Sequence, residues 1–127
     1  MEITVKLNKI TRSPQKIRPI LYLVRGKNAH LAINTLKFIN KSGAREISSL
    51  LKSAIAAAKE HEMNEEALVV KIAKCDQAQS LKRHQYKARG RTTLITKRSS
   101  HLSITLSDEN NAIVSGHAKE DGLKKSQ

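Results

Sequence analysis

Cysteine occurs once in this chain, at position 75, and a lone thiol excludes an intramolecular disulfide and any metal site built from paired cysteines. Tryptophan is absent, and the aromatics amount to Tyr22, Phe38 and Tyr86. That is too few, and too scattered, to stack a run of unpaired bases. No apolar run approaches the roughly 20 residues that cross a bilayer, so no membrane partner is expected. Nothing at the N-terminus resembles a signal peptide or an Arg/Ser-rich presequence, which points to a reduced, cytoplasmic setting and a bacterial or organelle-encoded origin. Scarcest of all is negative charge. Asp and Glu number 11 against 24 Lys and Arg; Glu2 is the only acid in the first 45 residues, and none lies between Asp76 and Asp108.

What remains is a chain of 127 residues with a formal net charge of +13, short enough for one domain with one core. Self-repulsion at that charge opposes compaction, so the chain calls for a polyanionic partner, and nucleic acid is the first candidate.

The hydrophobic pattern divides into strand and helix segments. Ile3, Val5 and Leu7 alternate with Thr4 and Lys6, the period of a half-buried strand. Ser13 and Pro14 open a helix carrying Ile17, Ile20, Leu21 and Val24, with Pro19 expected to kink it and Gly26 to stop it. A second helix starts near Asn28 and buries Ala29, Ala32, Ile33 and Leu36. The third is the clearest, with Ile47, Leu50, Leu51, Ala54, Ile55 and Ala58 at helical spacing and Ser42 as its cap. An acidic stretch with Glu62, Glu65 and Glu66 then reads as a solvated turn. Two further strands follow, one with Leu68, Val70 and Ile72 in phase, the other with Leu102, Ile104 and Leu106. The expected fold is α+β: three helices packed on a three-stranded antiparallel sheet, with a long protruding β-hairpin. One domain would cover residues 1–108, with its arm at about 76–101 and a polar, mobile tail at 109–127.

Between the last two strands lies SLKRHQYKARGRTTLITKRSSH, residues 80–101, with seven Lys or Arg and no carboxylate. An uninterrupted hairpin from Leu68 to Leu106 would reach roughly 50 Å, further than three short helices can shelter. Like charges about 7 Å apart repel by about 0.6 kcal/mol per pair even at the dielectric of water. A solvated basic loop is the plainer interpretation, but flanking strands and missing acids favour an arm ordered by RNA phosphates. Its cations are Lys82, Arg83, Lys97 and Arg98 in the stem and Lys87, Arg89 and Arg91 near the tip. Small Ala88 and Gly90 allow close backbone approach. A second basic group, Lys9, Arg12, Lys16, Arg18, Arg25 and Lys27, flanks the first helix. His101 follows the stem and can offer a nitrogen to a phosphate or a 2′-hydroxyl.

Catalysis has little support. The five histidines are scattered, the five glycines are isolated and form no phosphate loop, and no metal or cofactor is implied. The competing binding reading is an architectural DNA-binding protein with a β-ribbon arm. Such proteins usually dimerise through a helical face, whereas the stripe from Ile47 to Ala58 is needed by this chain's own strands, so no homo-oligomer is expected.

Three segments, SPQKIRPILYLVRGKNA, LLKSAIAAAKEHEM and LKRHQYKARGRTTLITKRSSHLSITLSD, resemble the bacterial large-subunit ribosomal proteins of the L-twenty-two family. The order KR, KARGR, KRSSH at fixed spacing is the most specific part, and the resemblance runs from Ile3 to about Asp108. It implies a structural constituent of the large ribosomal subunit, held by large-subunit rRNA and neighbouring ribosomal proteins and active in subunit assembly. It also implies that the hairpin lines the polypeptide exit tunnel, meeting the nascent chain with Tyr86, Lys87, Ala88, Arg89, Gly90, Arg91, Thr92 and Thr93. Tyr86 stands where the family usually has proline, Leu94 where a basic residue is common, and Pro19 replaces an aliphatic residue.

Overall fold

A computed structural model describes residues 1–108; the tail at 109–127 lies outside the described residues. Its elements run β1 (Glu2–Ile10), α1 (Pro14–Val24), α2 (Ala29–Phe38), α3 (Ala44–Glu60), β2 (Val69–Gln77), β3 (Leu81–Tyr86), β4 (Thr92–Lys97) and β5 (Ser100–Ser107), with short 3₁₀ turns at Glu65–Ala67 and Ala88–Gly90. The fold is α+β. Strands order as β1-β5-β2 in an antiparallel three-stranded sheet, and β3 and β4 form a separate two-stranded one.

β5 is central because the first strand and the strand after α3 pair on either side of it. Leu102, Ile104 and Leu106 point to the helices and are fully buried, while Ser103, Thr105 and Ser107 on the opposite face are buried as well. On that outer face the Thr4 and Thr105 hydroxyls share a 2.8 Å hydrogen bond, and Lys71 pairs with Glu2. α3 lies over β1 and β5, α1 over β2, and α2 packs chiefly on α3. The buried stripes are those the spacing predicts: Ile17, Ile20, Leu21 and Val24; Ala29, Ala32, Ile33 and Leu36; Ile47, Leu50, Leu51, Ala54 and Ala58. Pro19 sits on the exposed face of α1, which runs unbroken past it.

Three local expectations are corrected. Ser42 does not cap α3; Gly43 holds the N-cap position at φ 100°, a left-handed turn that offers no side-chain bond. A Cβ built there would lie 3.4 Å from Ile17 Cγ1. Gly43→Ala is therefore expected to lower unfolding free energy by about 1–2 kcal/mol through backbone strain alone, measurable as a shifted denaturant midpoint at unchanged slope. The acidic stretch after α3 is more than a solvated turn, for Met63 is buried and Asn64 accepts a hydrogen bond from the Glu66 N–H to start a 3₁₀ turn. Finally, Ile72 does not share a face with Val70. A β-bulge between them shifts the register, so Val70 opposes Leu106 but Ile72 opposes Thr105, and Ala73 and Cys75 take the inward positions.

β2 is an edge strand, and its outer rim is closed by the chain after α1. Gly26 N–H donates to Val70 O, Val70 N–H to Lys27 O and Ala29 N–H to Leu68 O. Asn28 caps α2 through the His30 N–H and also donates to Glu66 O. Unpaired rims invite association with other chains; here the rim is sealed by covalently connected backbone.

Candidate nucleic-acid interface

The arm begins where the main sheet ends. Between the pairs Gln77–Ser100 and Leu81–Lys97, Ala78, Gln79 and Ser80 face only Arg98 and Ser99. The odd residue breaks the ladder, although Ala78 N–H still donates to Ser99 O at 2.9 Å. The expected continuous 50 Å ribbon is thus divided: positions 76, 77, 100 and 101 belong to the body's sheet, and the separate hairpin spans 81–97. Six residues per strand extend it by about 20 Å before the tip.

Every residue of that hairpin is exposed. Its register pairs Lys82 with Thr96, Arg83 with Ile95, His84 with Leu94 and Tyr86 with Thr92. Strand alternation then places Lys82, His84, Tyr86, Leu94 and Thr96 on one face and Leu81, Arg83, Ile95 and Lys97 on the other. Both faces carry cations. None of the seven arm cations pairs with a described carboxylate; the ion pairs are Met1–Asp108, Arg12–Glu46, Lys59–Glu65 and Lys71–Glu2, all on the body. At the tip, Lys87 N–H donates to Arg91 O, and Arg89 and Gly90 follow one another in the left-handed region at φ 60° and 70°. A Cβ on Gly90 would meet no protein atom within 4 Å. Glycine is favoured there by its left-handed backbone and not by crowding from the protein itself.

At the arm's root two distant segments converge. A cleft of about 540 Å³ is lined by Thr11, Arg12, Ser13 and Lys16 from the start of α1 and by Thr96, Lys97 and Arg98 from the arm. The Ser100 hydroxyl donates to Arg12 O at 3.0 Å and holds the two segments together. Ser13 occupies the N-cap position of α1 without making a cap bond, and it lines this cleft beside the helix N-terminus. Four of the cations singled out from the sequence, Arg12, Lys16, Lys97 and Arg98, therefore share one concave surface with three hydroxyls and, among the described residues, no acid. Such a surface is suited to phosphate oxygens.

The other sequence-derived residues are placed differently. Arg25 donates through Nε and Nη2 to Ala73 O and lies 4.9 Å over the Tyr22 ring; Arg18 Nη2 reaches Cys75 O at 3.4 Å. These guanidinium groups cap outward-facing carbonyls of the edge strand, which helical charge patterning could not reveal. His101 Nδ1 accepts the Lys9 N–H at 3.1 Å, where Lys9 takes φ 57° in the bulge between Leu7 and Ile10. That bond occupies Nδ1 as an acceptor and leaves Nε2 as the nitrogen available to an external partner. Lys27 gives its backbone to the β2 rim. Cys75 is buried, and burial pushes its thiol pKa up, against smaller opposing effects of the Ser100 hydrogen bond and the Arg18 charge. It packs rather than reacts. No helix among the described residues is long and apolar enough to cross a membrane.

Comparison with known proteins places this geometry in context. Residues 5–107 match the family model described as ribosomal protein L22p/L17e. Large ribosomal subunit protein uL22 of Staphylococcus aureus strain JH9 is 42% identical over 109 residues, covering 85% of this chain and 93% of that protein. The protein of the same name from Staphylococcus haemolyticus strain JCSC1435 matches to the same extent.

Proposed function

The chain belongs to the ribosomal protein L22p/L17e family, a family of non-enzymatic ribosomal proteins, and from that premise we propose that it is a structural constituent of the large ribosomal subunit that binds large-subunit rRNA. Its neighbours are then other ribosomal proteins, and its place is the ribosome of the cytoplasm or of an organelle. One observation carries the reading: Arg12 and Lys16 meet Lys97 and Arg98 in a single cleft that no described carboxylate lines, at the root of an exposed, acid-free arm. Phosphates in that cleft and along both arm faces supply the counter-charge that the described carboxylates, apart from Glu46 beside Arg12, do not. The finer part of the proposal is that the arm penetrates folded rRNA, and that Tyr86 to Thr93 reach the wall of the polypeptide exit tunnel and meet the nascent chain. Holding remote rRNA segments around one arm would also assist subunit assembly. Lys9, Arg18, Arg25, Lys27 and His101 complete the RNA-facing set, with Arg18 and Arg25 contributing only what their bonds to the sheet leave over.

The test is a chain lacking residues 86–94. Because the hairpin is a separate sheet with no buried residue, the deletion is expected to leave the melting temperature of the body unchanged and rRNA binding measurable, while chemical footprints at the tunnel wall are lost from reconstituted subunits. Unfolding of the truncated chain would sink the proposal. Equal affinity of the intact chain for rRNA and duplex DNA at matched salt would instead favour an architectural DNA-binding role.

A further inference from the structure

A second cleft, of about 550 Å³, opens where α2 hands over to α3, and none of its residues belongs to the RNA-facing set above. Lys37, Lys41, Arg45 and Lys52 line it together with Ser48 and Ser49, and no carboxylate among the described residues does. Glu46, the neighbouring acid, is turned toward Arg12 at 3.9 Å. At the rim stands Phe38, 89% exposed, the most exposed large hydrophobic residue among those described. Its position explains the exposure: α2 buries Ala29, Ala32, Ile33 and Leu36, and a residue two places after Leu36 falls on the opposite side of the helix.

An exposed phenyl ring that lines one cleft with four cations has a specific chemical complement. A purely apolar partner would leave the cations unpaired, and a plain phosphate would leave the ring in water. An unpaired nucleotide satisfies both, its base stacked on the ring and its flanking phosphates on the lysines and arginine. The positive end of α3, which starts at Ala44 without a side-chain cap, adds to the same field. The cleft also lies at the arm's end of the body. Gly43 abuts Ile17 near the start of α1, and Arg12, which lines the root cleft, reaches across to Glu46 on α3.

We propose that the α2–α3 cleft is a second RNA site, in which Phe38 stacks one unpaired base while Lys41, Arg45 and Lys52 hold the adjoining phosphates. The scarcity of aromatics limits this to a single base. It rests on the rRNA-binding reading above, and the chemistry is distinct: the arm binds phosphate and shape, whereas this cleft distinguishes single strands from duplex.

The test uses the full chain with all seven arm cations, Lys82, Arg83, Lys87, Arg89, Arg91, Lys97 and Arg98, replaced by glutamine, so that the arm contributes little, and a 12-nucleotide oligoadenylate carrying one 2-aminopurine as the probe. Quenching of the 2-aminopurine on binding is expected. Phe38→Ala should weaken binding about tenfold and abolish the quenching, whereas Phe38→Tyr should retain both. Lys41→Gln with Arg45→Gln should reduce the log–log salt slope by about 1.4, the value for two phosphates of a single strand. Since Phe38 is exposed, its variants should melt with the parent. Equal affinity and quenching for Phe38→Ala and the parent would overturn the inference, as would oligoadenylate and a 12-base-pair RNA duplex binding equally. Loss of an acidic protein partner with RNA binding unchanged would overturn it in favour of protein docking. These results are separable from failure of the main reading, in which the arm substitutions themselves would leave rRNA affinity unaltered.

Discussion

Replacing Lys82, Arg83, Lys97 and Arg98 together by glutamine should cut affinity for large-subunit rRNA by about a thousandfold at 0.15 M salt. Each phosphate neutralised contributes about 0.9 to the log–log salt slope, so four contacts account for about 3.6, or roughly three decades of binding at that concentration. The fold should not suffer, because all four side chains are exposed and none pairs with a described carboxylate. Relief of self-repulsion can only help the free protein. Filter binding or fluorescence anisotropy between 0.05 and 0.3 M salt measures the slope directly, on the order set by that principle. The alternation of the strands adds a sharper test. Lys82 lies on one face of the hairpin, and Arg83 and Lys97 lie on the other. An arm enclosed by RNA should lose affinity when either face is neutralised. An arm lying on an RNA surface should respond on one face only. An unchanged slope in the quadruple variant would remove the arm from the interface altogether.

The largest effect on stability should come from the opposite end of the molecule, at Ile104. It is fully buried on the central strand, with Val5 opposite it on β1 and Ala73 opposite it on β2. Ile104→Ala removes three carbon atoms from a site walled by two paired strands and roofed by a helix, so little collapse is possible. A loss of about 2–5 kcal/mol is expected, against a total of about 5–15 kcal/mol for an ordinary domain. Chemical denaturation at unchanged slope would measure it, and a loss below about 1 kcal/mol would mean that the sheet and helices are not packed as described. Together the two experiments separate the parts: the arm carries affinity without stability, and the core carries stability without touching RNA.

Much of this organisation was legible beforehand, for a local reason. Helix stripes such as Ile47 to Ala58 and the alternation in Leu102 to Leu106 are set by backbone period, and each is visible within one segment. The acid-free span between Asp76 and Asp108 needs no coordinates to be noticed. Errors fell where the period is interrupted. Alternation cannot announce a bulge, so Ile72 was expected inside and stands 46% exposed. Likewise the extra residue among Ala78, Gln79 and Ser80 is invisible until pairing on both sides is known, and it alone separates arm from body. In the sequence Phe38 is one of three scattered aromatics, and its place two residues beyond Leu36 is the signal of its exposure.

By itself, then, the sequence determined the element types, the three helical faces, the cationic arm and the family. Those properties follow from composition and from residue spacings of a few positions. Only the tertiary structure decided which cations work together. Arg12 and Lys16 meet Lys97 and Arg98 because β1 and β5 pair side by side, bringing chain segments more than 80 positions apart to one cleft. Arg18 and Arg25, equally basic and on the same helix, are diverted to the carbonyls of Ala73 and Cys75 because β2 happens to be the edge. A charge is a property of one residue, but its partner is chosen by the path of the whole chain.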